Sequence, residues 1–153
     1  MSKIDDLREE ITKLFEENIR LNNWISTQEQ SSDNQVGEIC KDFLQVLEAF
    51  EWAEDSIHER GLDQSRICKG AIDRLLTAKE KLLEVLERYG VKKVNFPNGV
   101  MDATKAQIVG AEPDEEKEEG TVLRVKRDGF FRKDKLLRKA EVVLVAEGVG
   151  WSV

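Results

Sequence analysis

His58, Cys40 and Cys68 are the side chains best suited to nucleophilic, acid–base or transition-metal chemistry, and their spacing does not bring them together. His58 is the only histidine and falls on the charged side of a helical stretch, so it reads as a surface residue. Without a second histidine or a cysteine cluster, the sequence offers no transition-metal site. A serine or cysteine nucleophile would have a single imidazole to call on as its base. Neither G-x-x-x-x-G-K-[ST] nor G-x-G-x-x-G occurs, so no dedicated phosphate cradle is visible. The abundant carboxylates lie on helical faces and in an acidic run from Glu112 to Glu119, where solvation is their expected state. The expectation is a binding protein that is not an enzyme and holds no metal or cofactor.

Whatever positions such binding residues must be built from 153 residues, enough for one modest domain or two small ones on a shared helical scaffold. Charged residues make up 36% of the chain, which favours helices with wide solvated faces in an elongated or oligomeric protein. The net charge of −7 argues against nucleic acid as a partner, because a phosphate backbone rewards clustered positive charge. The charge is uneven, however: Arg124–Lys139 is strongly basic and could meet an acidic protein surface. The opening MSKIDDLREE lacks the apolar core of a secretory signal. No apolar run approaches the roughly 20 residues that span a bilayer. Two cysteines make no disulfide framework, so a cytoplasmic protein is the default.

Residues 1–35 read as a coiled-coil helix. Ile4, Ile11, Asn18 and Ile25 occupy heptad position a, and Leu7, Leu14 and Leu21 occupy d. Isoleucine at a with leucine at d favours a parallel two-stranded coiled coil, and a lone asparagine at a fixes register and strand number. The flanking pairs Lys3–Arg8, Glu10–Phe15 and Glu17–Asn22 supply no salt bridge. Phe15 and Trp24 widen the stripe, which leaves open a larger bundle; an amphipathic helix in a monomer is the plainer alternative. After Gln28 a polar segment interrupts the seam, and the stripe resumes at Val36, Phe43, Phe50 and Ile57, with Ile39, Val46 and Ala53 beside it. The helix either continues through Glu29–Asn34 or breaks there.

Residues 36–90 read as a helical hairpin turning near Gly61, with Asp63 or Ser65 able to cap the returning helix and Gly90 ending it. That helix carries Cys68, Ala71, Ile72, Leu75, Leu82, Leu86 and Tyr89 on one face. So short a connection predicts antiparallel packing, and two such pairs in a homodimer would make a four-helix bundle. Beyond Gly90 the period changes toward two, which predicts a β-domain of four to six strands over residues 91–147 and a tail at 148–153. Pro97-Asn98-Gly99 predicts a turn, and Asp128-Gly129 between β-formers predicts a hairpin, followed by a second polar turn at Lys133-Asp134. The fold class is therefore α+β.

Several phrases then resemble the GrpE family, the nucleotide-exchange factors of DnaK-type chaperones. Phe43-Leu44-Gln45-Val46-Leu47-Glu48-Ala49-Phe50-Glu51-Trp52-Ala53 is similar to the family's LLPVLDNLERAL. Lys69-Gly70-Ala71-Ile72 with Leu82–Val91 resembles its E-G-(I/V) helix and FGV turn. Gly120-Thr121-Val122, Asp128-Gly129-Phe130 and Leu136–Val142 resemble its GTV…GY…LRPAxV signature. The resemblance covers roughly residues 40–147. It implies a parallel homodimer, a four-helix bundle, and a β-domain that engages a chaperone's nucleotide-binding domain so that ADP leaves. A dimeric adaptor that has lost exchange activity is the alternative.

By matching position, Lys135 falls on the Arg of the family's DR pair and Arg138 on the Arg of LRPA. Phe130 replaces the β-domain Tyr. Arg138 has a second reading as a structural ion pair, and Phe130 as a core aromatic. Met101 and Asp102 lie where Val100–Gln107 replaces the family's FDP-x-x-H-E-A, and complete the candidate partner-binding set. The dimerisation set is Ile4, Leu7, Ile11, Leu14, Asn18, Leu21, Ile25, Phe43 and Phe50. The family's long basic N-terminal helix has only residues 1 to about 35 in its place, so the resemblance is to a divergent member with a shortened helix.

Overall fold

The computed structural model describes residues 2–147; the predicted tail at 148–153 lies outside the described residues. Its elements are α1 (Lys3–Glu59), a 3₁₀ turn (Leu62–Gln64), α2 (Lys69–Arg88), β1 (Val91–Lys93), a second 3₁₀ turn (Pro97–Gly99), β2 (Ala106–Glu112), β3 (Val122–Arg127), β4 (Phe130–Arg132), β5 (Lys135–Arg138) and β6 (Ala140–Val145). The α+β class is as expected. α1 runs as one helix through Glu29–Asn34: serine, asparagine and aspartate lower helix propensity by only a few tenths of a kcal/mol each, and no Pro or Gly interrupts that segment. The chain divides between Glu38 and Ile39 into two compact units.

The first unit is the helix up to Glu38. Ile4, Leu7, Ile11, Leu14, Leu21 and Ile25 all stand exposed on it, as do Phe15, Ile19 and Trp24. The Asn18 side-chain oxygen accepts a hydrogen bond from the Asn22 amide at 2.8 Å.

In the second unit the remainder of α1 buries Cys40, Leu44 and Leu47, the last only 1% exposed. The stripe through Val36, Phe43, Phe50 and Ile57, from which Phe43 and Phe50 were expected at a dimer contact, lies beside this buried face. Phe43 is 48% exposed, with Ile39 and Val46 exposed beside it, while Phe50 and Ile57 are half-buried. One helix carries two apolar stripes, and the periodicity alone favours the more aromatic one. α1 ends at Glu59, and Gly61 just past it has a left-handed φ of 64° that suits a glycine beyond a helix end; its N–H donates to the His58 carbonyl at 3.0 Å. Neither Asp63 nor Ser65 caps the next helix: Asp63 lies within the 3₁₀ turn and faces His58 at 3.3 Å, and Cys68 is the residue before α2. α2 returns along α1, with Lys79 paired to Glu54. It ends at Arg88, and Gly90 just beyond has a φ of 88° with its N–H donating to the Glu87 carbonyl.

Two three-stranded sheets follow, with orders β1-β4-β5 and β2-β6-β3. β6 runs parallel to β2 and antiparallel to β3; the other pairs are antiparallel. Ala106, Ala140 and Val142 form a core with Phe96, Met101, Val122 and Leu144 against them. The expected Asp128-Gly129 hairpin is not formed: β3 and β4 belong to different sheets, and the chain crosses between them there. Gly129 is needed for a close approach, since a Cβ on it would sit 2.4 Å from the Ala140 nitrogen. The hairpin is instead β4–β5, turned by Lys133-Asp134 with Lys133 at φ 54°. Glu112 closes β2 and pairs with Arg124, so the acidic loop begins one residue later than expected.

Candidate partner-binding surface

Strand β5 begins at Lys135, exposed beside the hairpin turn, and ends at Arg138, which points the other way in function. Arg138 donates to both Glu51 carboxylate oxygens, at 2.7 and 3.2 Å, and to the Asp128 carbonyl at 2.7 and 3.0 Å. Its guanidinium lies 5.3 Å from the centroid of the Phe130 ring. Phe130 itself is 4% exposed and fills the core. A planar fork held by a carboxylate on one side and an aromatic face on the other matches what arginine, and not lysine, supplies.

Arg127, at the end of β3, joins the same cluster and was not singled out from the sequence. Its nitrogens approach Glu48, Glu51, Asp55 and Glu141 at 3.5–3.9 Å. Two arginines from the basic stretch therefore meet acidic residues of α1 in the same chain. No periodic signal announces such pairs, because their partners lie 72 to 87 positions apart.

The loop before β2 is folded on Asp102. Its carboxylate accepts from the Thr104 amide at 2.9 Å and the Thr104 hydroxyl, and its carbonyl accepts from the Lys105 and Ala106 amides. The Thr104 hydroxyl first and its amide second hold the Asp102 carboxyl below its ordinary pKa. Met101 packs on the β2–β6 core. The Lys105 carbonyl accepts from the Ala140 amide at 3.0 Å, which ties this loop to the start of β6, just beyond β5. As a result Thr104 and Lys105 from the loop and Phe131, Lys133, Asp134 and Leu136 from the hairpin line one cavity of about 420 Å³. The loop carrying Met101 and Asp102 and the hairpin carrying Lys135 are thus neighbours. A larger cavity of about 580 Å³ between α2 and β1 has Glu80, Glu84 and Glu87 on one wall and Lys92 and Lys93 on the other.

A long helix, a returning helix and a small double-sheet β-domain rich in structural ion pairs define an α+β protein of distinctive plan. A family model described as GrpE matches residues 2–146, and the chain belongs to the GrpE family. Protein GrpE of Halorhodospira halophila is 29% identical over 122 residues, 80% of this chain and 49% of that protein. Protein GrpE of Alkalilimnicola ehrlichii is 32% identical over 109 residues, 71% of this chain and 48% of that one. Protein GrpE of Wolbachia pipientis is 27% identical over 150 residues, 92% of this chain and 78% of that one. The chain spans about half the length of the first two. Among the described residues no helix is long and apolar enough to cross a membrane.

Proposed function

We propose that this chain is a nucleotide-exchange co-chaperone. It binds the nucleotide-binding domain of a DnaK-type chaperone and favours the open cleft, so that ADP leaves. The observation that carries this reading is membership of the GrpE family over residues 2–146. The factor acts by population shift, binding the open state better than the closed one. By reciprocity, ADP weakens the factor's own binding by the same factor. It performs no covalent chemistry and is not an enzyme.

The working unit is a parallel homodimer in the cytoplasm, with neither nucleic acid nor membrane as partner. Exposure of every isoleucine and leucine of the a/d seam supports pairing through residues 1–35. Exposure of Ile39, Phe43 and Val46 supports a bundle through residues 36–90. The β-domain of residues 91–147 then faces the chaperone, with Lys135 as the exposed contact and Met101 and Asp102 shaping the adjoining loop. Arg138 and Phe130 support that surface from behind.

The direct test is release of a fluorescent ADP analogue from the chaperones of the same cell. Acceleration by this protein is expected, and no acceleration with any of them would end the reading. Lys135→Glu is expected to weaken the complex about tenfold or more while leaving the melting curve in place, since a reversed charge at an interface costs affinity and on-rate. Unchanged affinity removes Lys135 from the contact.

A further inference from the structure

We infer that Glu51 is a positioning residue: through Arg138 and Arg127 it sets the angle at which the two sheets are carried on the helical hairpin. The proposal rests on the co-chaperone reading for why that angle matters, and on the geometry around Glu51 for what sets it. Arg138 ends β5 in the sheet β1-β4-β5, and Arg127 ends β3 in the sheet β2-β6-β3. Both reach the same carboxylate, Arg138 at 2.7 and 3.2 Å and Arg127 at 3.9 Å. Arg138 also donates to the carbonyl of Asp128, where the chain crosses from one sheet to the other. Arg127 adds Glu141 of the central strand β6 at 3.6 Å. One residue of α1 therefore ties down both sheets and the crossing between them.

The covalent route from hairpin to sheets is short, Tyr89 and Gly90 between α2 and β1. The Arg132 Nε donates to the Tyr89 carbonyl at 2.8 Å there. Away from that link the junction is not filled. A cavity of about 290 Å³ is lined by Leu47, Glu51 and Leu83 of the helices and by Lys93, Asp128 and Phe130 beyond them. Close packing fixes an angle by contact alone, whereas space at a joint leaves the angle to directional bonds. The bidentate Arg138–Glu51 pair is the strongly directional one. Glu48 and Asp55 meet only Arg127, at 3.6 and 3.5 Å, and are more exposed than Glu51, so they bear less on orientation.

The test uses the full chain, isotope-labelled, and residual dipolar couplings of backbone amides in α2 and in both sheets. One alignment tensor is expected to fit all of them in the wild type. In Glu51→Gln the sheet amides should no longer fit the α2 tensor, while contacts across β4–β5 and β3–β6 persist. Arg138→Lys keeps a cation against Glu51 without the planar fork, and should show the same loss in smaller degree. A single tensor retained in both variants overturns the proposal. So does loss of the cross-strand contacts, which would show that Glu51 holds the sheets together and not their angle. Affinity of Glu51→Gln for the chaperone should fall about fivefold, since only molecules with correctly angled sheets can bind. If the wild type stimulates no ADP release, the co-chaperone reading falls and the couplings still decide the role of Glu51. If the wild type stimulates release and the loosened Glu51→Gln protein stimulates it equally, the angle has no part in exchange and the proposal falls.

Discussion

Glu51 is 13% exposed in its side chain and receives Arg138 directly, with Arg127 next to it. Removing Arg138 would leave a part-buried carboxylate with only the longer contact to Arg127. Arg138→Ala is expected to lower unfolding free energy by about 2–3 kcal/mol. Arg127→Ala should cost about 1 kcal/mol or less, because its four contacts are long and share one guanidinium. Urea unfolding of the two variants checks the order; equal losses would show that Glu51 does not distinguish them. Asp102 gives a pH signature. Its folded carboxyl titrates below the unfolded one, so the stability it contributes is complete above the ordinary carboxylate range and is lost as pH falls through the lowered folded value. Wild type and Asp102→Asn are expected to differ in urea midpoint near neutrality and converge in acid. A gap that persists unchanged to low pH would assign the effect to something other than the carboxylate.

At the scale of elements, what could be read from the sequence follows from how local each determinant is. α1, α2 and Gly90 were legible because a 3.6-residue period and a glycine past the helix end are properties of neighbouring residues. β2 was not, because its pairing with β6 shifts register between Ile108 and Gly110 and so breaks the alternation that marks a strand. That Cys40, Leu44 and Leu47 form a second, buried stripe on α1 was not legible either, because the Glu48–Asp55 stretch meets Arg127 and Arg138, residues far along the chain. The loop and the hairpin that share a cavity each leave a turn signal in the sequence, but their meeting joins residues about 30 positions apart and leaves no local trace. The a/d heptad pattern is the reverse case, fully local in the sequence and fully exposed on the helix. Asn18→Leu should raise the melting temperature while broadening the distribution of oligomers, since the polar a position trades stability for register. Sedimentation and thermal melts measure both; no change in either would remove Asn18 from a seam.

For the whole molecule, the pairing proposed through the exposed seam would make stability a function of concentration. A dimer's melting temperature rises with protomer concentration by mass action. Far-UV melts of the full chain over a hundredfold range of concentration should therefore shift upward, and a constant melting temperature would indicate a monomer.

The placing of β6 between β2 and β3 also bears on how the protein is made. Both outer strands precede the central one in the chain, so on the ribosome they emerge with no strand to join until residues 140–145 have followed. During that interval Ile108, Val109, Val122 and Val125 belong to open strand edges, the kind of surface on which nascent chains adhere to one another. The acidic run of Asp114, Glu115, Glu116, Glu118 and Glu119 lies between those two strands. It is placed to keep them apart from neighbouring chains by charge repulsion until the last strand arrives.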